Sequence, residues 1–134
     1  MAGSEMSVAI ASEDDVLTAR RRGRELAVEA GFDDTSKTLI ATAISELARN
    51  IVAYADVGRI ELCIVDRDGR HGLTVVAADD GPGIPDVEQA LQVGYSTSGG
   101  LGLGLPGSRR LMDEFAVAST VGEGTTVTAT KWVR

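Results

Sequence analysis

The chain has 134 residues, 43% of them apolar and 25% charged, with a formal net charge of −7 and one cysteine. That balance suits one compact domain over residues 1–134 with its own core and excludes a disordered, collagen-like or disulfide-built chain. The acidic charge tells against nucleic acid, whose phosphates are bound through dense Lys/Arg surfaces. No apolar stretch reaches the roughly 18 residues of a membrane span, and "MAGSEMSVAI" lacks the basic and apolar regions of a signal peptide, so the expectation is a cytoplasmic protein without a membrane partner.

In chain order, "EMSVAIAS" alternates weakly as a strand and ends at Ser12, which with Asp15 has the spacing of a capping box. It opens a helix over 13–30, stopped by Gly31; within it "RRRGR" at 20–24 reads as a solvated face. From 35 to 55, Ile40, Ala43, Ile44, Leu47, Ile51 and Ala55 follow the spacing of a long amphipathic helix. "RIELCIVD" and "GLTVVAAD" are strands flanking the Asp-Gly turn of "RDGR", with Cys63 expected as a small buried hydrophobe. Residues 81–100 are punctuated by glycine and proline and read as a functional loop or lid with one short helix at "VEQALQ". "LPGSRRLMDEF" then suits a helix, and "FAVAST" and "TTVTATKWV" two strands joined by the turn "VGEG". The expected architecture is α+β: a two-layer sandwich in which a mixed β-sheet carries helices on one face.

Three constellations carry chemistry. "ISELARNI" places Glu46 and Asn50 four residues apart, one above the other at the border of the apolar stripe. A carboxylate beside an amide oxygen suits a general base next to a magnesium ion, which prefers oxygen ligands; the plainer alternative is an exposed helix pair. "DDGPGIP" ends an apolar strand with Asp79 followed by Gly81 and Gly83, so an acceptor for a donor such as the adenine amine, or a tight turn with solvated acids, fits equally. The glycine run "STSGGLGLGLPG" matches G-x-G-x-x-G at Gly102, Gly104 and Gly107, but no good strand precedes it and a hairpin follows, against a dinucleotide fold. A Walker A loop is excluded because no lysine lies between Lys37 and Lys131. What remains is a set of glycines at the start of a helix, where bare backbone amides approach phosphate.

Taken in this order, with "GEGT" in a final hairpin, the motifs resemble the Bergerat ATP-binding fold of gyrase, Hsp90, histidine kinases and MutL. The resemblance implies ATP and Mg2+ as cofactors. It would make Asn50 the magnesium ligand and Asp79 the adenine acceptor, with Gly81 and Gly83 along the adenine edge and Thr125 assisting there. Gly100, Leu101, Gly102, Leu103 and Gly104 would form the phosphate loop. "ELARNI", "GYSTSGGLGLGLPGSRRLMDEF" and "GTTVTATKW" are similar, more narrowly, to the small bacterial serine/threonine switch kinases of the RsbT type. That likeness implies phosphorylation of a STAS-domain antagonist or scaffold protein, with Glu46 as catalytic base, and activation of a PP2C-type phosphatase. Arg49, Arg109 and Arg110 are further candidates for a phosphate contact, and residues 86–100 for a lid.

Alternatives are an anti-sigma-factor kinase of the SpoIIAB or RsbW type and a non-catalytic, nucleotide-gated binding module; Glu46 separates the last, which needs no base beside Asn50. A sensor histidine kinase is disfavoured because the single histidine, His71, falls at a hairpin.

Overall fold

Residues 5–55, 57–83 and 105–134 are described by the computed structural model of the chain. Strand β1 (Glu5–Ile10) leads into α1 (Glu13–Ala30) and α2 (Asp34–Tyr54), followed by β2 (Gly58–Arg67) and β3 (Arg70–Asp79). After residues 84–104, α3 (Leu105–Leu111), β4 (Glu114–Thr120) and β5 (Gly124–Trp132) complete the order. The lid, the short helix expected at 87–92 and the glycines at 100, 102 and 104 lie outside the described residues.

Local chemistry accounts for the element ends. The Asp15 carboxylate accepts from the backbone amides of Ala11 and Ser12 at 2.8 and 3.1 Å, tying down the start of α1, and Gly31 ends it in the left-handed conformation. Asp33 caps α2 by accepting from the Ser36 amide at 2.7 Å. The β2–β3 turn puts Asp68 and Gly69 both at positive φ, as a two-residue turn matching the strand twist requires.

The strands form one sheet in the order β1-β2-β3-β5-β4, and all four pairings are antiparallel. This corrects the expectation of a mixed sheet. Two helices in succession return the chain to the end of the sheet where β1 finished, so β2 must run back against it, and the tight turns make β2–β3 and β4–β5 antiparallel by construction. A second correction concerns "LPGSRRLMDEF", whose helical part stops at Leu111. Asp113 is held by β5 instead: its amide donates to the Thr130 carbonyl and its carboxylate accepts from the Trp132 amide, so Glu114 and Phe115 join β4.

One face of the sheet is covered by the helices. Ile10, Leu26, Ile40, Ile44, Leu47, Ile51, Ile60, Leu62, Leu73 and Val75 are fully buried between the layers, each such side chain contributing about 1.5–3 kcal/mol by leaving water. The other face carries Ser7, Glu61, Thr74, Val76 and Thr128, with Cys63 among them. Cys63 is therefore half-buried on the outer face and not a core residue, a consequence of strand register.

Candidate active site

The candidate residues on described elements gather at one end of the sandwich, where β3 finishes, β5 starts and α2 finishes. Register places Asp79 opposite Gly58 on one side and Thr125 on the other, with Ser119 next beyond Thr125. All lie on the inner face, so Asp79, Thr125 and Ser119 make a polar row at the rim of an otherwise apolar layer. The Thr125 and Ser119 hydroxyls are 2.8 Å apart, and Ser119 also donates to the Gly124 carbonyl at 3.1 Å. Ser119 was not apparent from sequence motifs; its signal is the pairing of the last hairpin, which aligns it with Thr125.

Asp79 is half-buried and accepts the Gly81 amide at 2.8 Å through Oδ1. That bond orients the carboxyl group while leaving Oδ2 with no protein donor among the described residues. The following turn is clamped from both sides. A Cβ at Gly81 would stand 2.6 Å from the Ala55 Cβ at the end of α2, and one at Gly83, whose φ is +78°, would stand 2.5 Å from the Thr120 carbonyl oxygen. On the hairpin side the Gly122 amide donates to the Pro82 carbonyl at 2.8 Å. The glycines thus let the turn fit between α2 and the β4–β5 hairpin, where a Cβ at either position would clash.

Helix α2 contributes Glu46 and Asn50, both half-buried at the edge of its apolar stripe and separated along the axis by about 6 Å. Asn50 has no side-chain hydrogen bond among the described residues, so its amide oxygen remains available. Glu46 keeps a 41% exposed side chain and stands 3.8 Å from Arg49, which also reaches Glu13 of α1 at 3.6 Å. Arg49 therefore ties α2 to the start of α1 and is occupied by two carboxylates, which weakens its candidacy as a phosphate ligand. Glu46 also lines a depression between α2 and α3 together with Thr42, Gly107, Arg110 and Leu111. No cluster of three or more His, Cys, Asp and Glu able to hold a metal occurs among the described residues. One amide oxygen is in keeping with magnesium, which keeps several waters and takes its other ligands from substrate phosphates. Of the predicted site, the structure brings together Asp79, Gly81, Gly83 and Thr125 at the sheet end, with Glu46 and Asn50 on the adjoining helix; positions 100–104 lie outside the described residues.

His71 sits exposed beside Asp66 at the opposite end of the sheet, far along β3 from Asp79. The arginines at 20, 21, 22 and 24 are exposed, as their helical position predicts. No described helix is long and apolar enough to cross a membrane.

Known proteins share this fold and resemble this sequence. The family model described as the histidine kinase-like ATPase domain matches residues 10–131. The chain is 52% identical over 127 residues to the serine/threonine-protein kinase RsbT of Bacillus subtilis, covering 95% of this chain and 96% of that one. It is 34% identical over 115 residues to an anti-sigma F factor of Caldanaerobacter subterraneus, covering 80% of this chain and 79% of that one. Among solved structures, a Mycobacterium tuberculosis protein with RsbU and RsbW domains superposes with a TM-score of 0.61 at 23% identity, covering 95% of this chain and 32% of that longer one. The catalytic domain of the histidine kinase ThkA superposes with a TM-score of 0.54 at 16% identity, covering 94% and 95%.

Proposed function

We propose, from the premise that this chain belongs to the histidine kinase-like ATPase domain family and is, by its likeness to RsbT, a serine/threonine-protein kinase, that it phosphorylates a STAS-domain antagonist or scaffold protein in a cytoplasmic partner-switching pathway. The observation that carries the reading is that one end of the sandwich holds an oriented carboxylate, Asp79, with an oxygen unbonded among the described residues, and on the adjoining helix the amide of Asn50, without a hydrogen-bond partner among them. Asp79 accepts a hydrogen bond from the adenine amine of ATP, and the bare backbone at Gly81 and Gly83 admits the base. Thr125, tied to Ser119, offers a hydroxyl beside the same edge. Asn50 offers an oxygen to magnesium, and Gly100, Leu101, Gly102, Leu103 and Gly104 supply the phosphate-binding backbone. Magnesium, when bound, neutralises phosphate charge.

In the transfer, the acceptor Ser or Thr oxygen forms a bond to the γ-phosphorus while the bond from that phosphorus to the ADP oxygen breaks. The hydroxyl proton passes to Glu46, whose half-exposed position leaves it reachable from outside. The same partner-switching role includes activation of a PP2C-type phosphatase by contact. Sigma-factor binding is the second reading, favoured by the anti-sigma F relatives.

The test is mass spectrometry of a STAS partner incubated with ATP and magnesium. Wild type should add one phosphate, and Asn50→Ala should slow the addition by about 10²–10³-fold, as expected for losing several kcal/mol of charge neutralisation. Asn50 borders the apolar stripe without filling it, so thermal unfolding should be unchanged. No phosphate on any STAS partner, with ATP shown to bind, would leave a nucleotide-gated binding module.

A further inference from the structure

The depression between α2 and α3 measures about 350 Å³, and its floor and walls are Thr42, Glu46, Gly107, Arg110 and Leu111. Three observations make it more than a seam between helices. The first is Gly107. A Cβ built there meets nothing within 4 Å among the described residues, and its φ is not in the left-handed region. Glycine within a helix costs about 1 kcal/mol relative to alanine. At Gly23 in α1 that cost has a structural reason, since a Cβ would lie 2.1 Å from Ile44 Cδ1. At Gly107 no described residue occupies the space a side chain would take, so that wall of the groove is open among the described residues.

The second observation is Arg110. It is exposed, lines the groove, and like several other surface arginines has no carboxylate within ion-pair distance among the described residues, so its charge is available at the groove wall. The third is that Glu46 lines the same groove, so whatever lies in it is delivered to that carboxylate. The groove thus has a carboxylate at Glu46, a guanidinium at Arg110 without an ion-pair partner among the described residues, and a wall without bulk at Gly107.

We propose that this groove is the acceptor-segment subsite, seating an extended stretch of the protein substrate with its Ser or Thr hydroxyl at Glu46 and an acidic side chain of the same stretch on Arg110. The inference rests on the kinase reading above for the role of Glu46. An extended chain advances about 3.3 Å per residue, so two groups lining one depression of this size are bridged by an acidic residue within about three positions of the acceptor. Arg110 therefore selects the sequence next to the phosphorylated residue, and Gly107 admits its backbone.

The probe is a fluorescein-labelled peptide spanning the acceptor segment of the STAS partner, with a second peptide in which its acidic residues are lysine. Anisotropy with wild-type protein should show the acidic peptide binding at least about tenfold more tightly than the lysine peptide. Arg110→Glu should reverse that order. Gly107→Leu, which fills the groove with a good helix former, should weaken the acidic peptide by a similar factor, while Gly107→Ala, too small to block it, should not. In transfer assays Arg110→Glu should raise KM for the protein substrate with kcat nearly kept. Calorimetry should find ATP affinity within about twofold of wild type in the Arg110 and Gly107 variants.

Indifference of binding to both peptide charge and Arg110→Glu would overturn the proposal, as would a fall in ATP affinity that matches the fall in transfer, which would return Arg110 to the phosphates. Charge-dependent peptide binding without any phosphate transfer by wild type would uphold the subsite and tell against the kinase reading alone.

Discussion

The two ends of the sheet are built from the same five strands and treat their polar groups in opposite ways. At the β2–β3 turn end, the polar groups around Trp132 are paired. Trp132 is 4% exposed, lies under Arg67 and Arg70 at 4.6 and 5.1 Å, and donates its indole N–H to Glu114 at 2.8 Å. Glu114 also accepts from Arg67 at 2.9 Å, and Asp113 is bonded by the Trp132 amide and by Arg134. Buried Lys131 donates to the Leu111 carbonyl at 2.9 Å, satisfying the C-terminus of α3. At the far end, among the described residues, Asp79 has one oxygen bonded and Asn50 has no hydrogen-bond partner. Closed networks stabilise a fold, while groups left available for a ligand cost stability that binding recovers. The difference indicates which end holds the chain together and which end the proposed chemistry uses.

Substitutions at the two ends should therefore fail differently. The largest effect is expected from Trp132→Ala, which empties a well-packed site and removes the Glu114 partner. By analogy with large-to-small core changes it should cost about 3–5 kcal/mol and lower Tm by roughly 10 °C or more, yet leave ATP affinity of the folded fraction near wild type. A matching loss of ATP affinity would mean that the two ends are not separable. Next in size is Glu46→Ala. ATP binding should be retained while phosphate transfer falls by about 10²-fold or more, as for a lost general base, and transfer at the wild-type rate would remove Glu46 from the chemistry.

The smallest effect is acidic. The Glu114 carboxyl is held below its ordinary range, first by the Trp132 indole hydrogen bond and then by Arg67, and Asp33 is lowered by the Ser36 cap. A depressed folded pKa stabilises fully above the unfolded value, about 4.3 for Glu and 3.9 for Asp, and that contribution is lost as pH falls through the folded value. Thermal midpoints measured from pH 7 downward should hold nearly level and then fall below about pH 4. Glu114→Gln should flatten part of that fall, and an unchanged slope would show that the indole contact contributes nothing to it.

Much of this architecture was legible in local patterns. Ser12 with Asp15, Gly31, the stripe Ile40, Ile44, Leu47 and Ile51, and the Asp68–Gly69 turn each act over a few residues, so their spacing reveals the element they make. What depends on pairing across the chain was not visible in the same way. Cys63 faces outward because β2 registers with Thr74 of β3 as it does, and α3 ends early because Asp113 is captured by β5, far along the chain. For the candidate site, Glu46, Asn50, Asp79, Gly81 and Gly83 stood out through motif spacing, and Thr125 through the family resemblance. Ser119 and the Thr42–Leu111 groove emerge only when separate elements are brought together.

The measurement that reaches the centre of the account is calorimetric titration of ATP into Asp79→Asn, run beside thermal unfolding of the same protein. The substitution keeps the shape of the side chain but replaces a charge-assisted acceptor, worth roughly 1.5–3 kcal/mol in such a bond, with an amide that can present a donor to the adenine amine. If this end of the sheet is the nucleotide site, ATP affinity falls by at least about tenfold while Tm stays near wild type. Wild-type affinity in a folded Asp79→Asn protein would contradict the assignment of the nucleotide to this end.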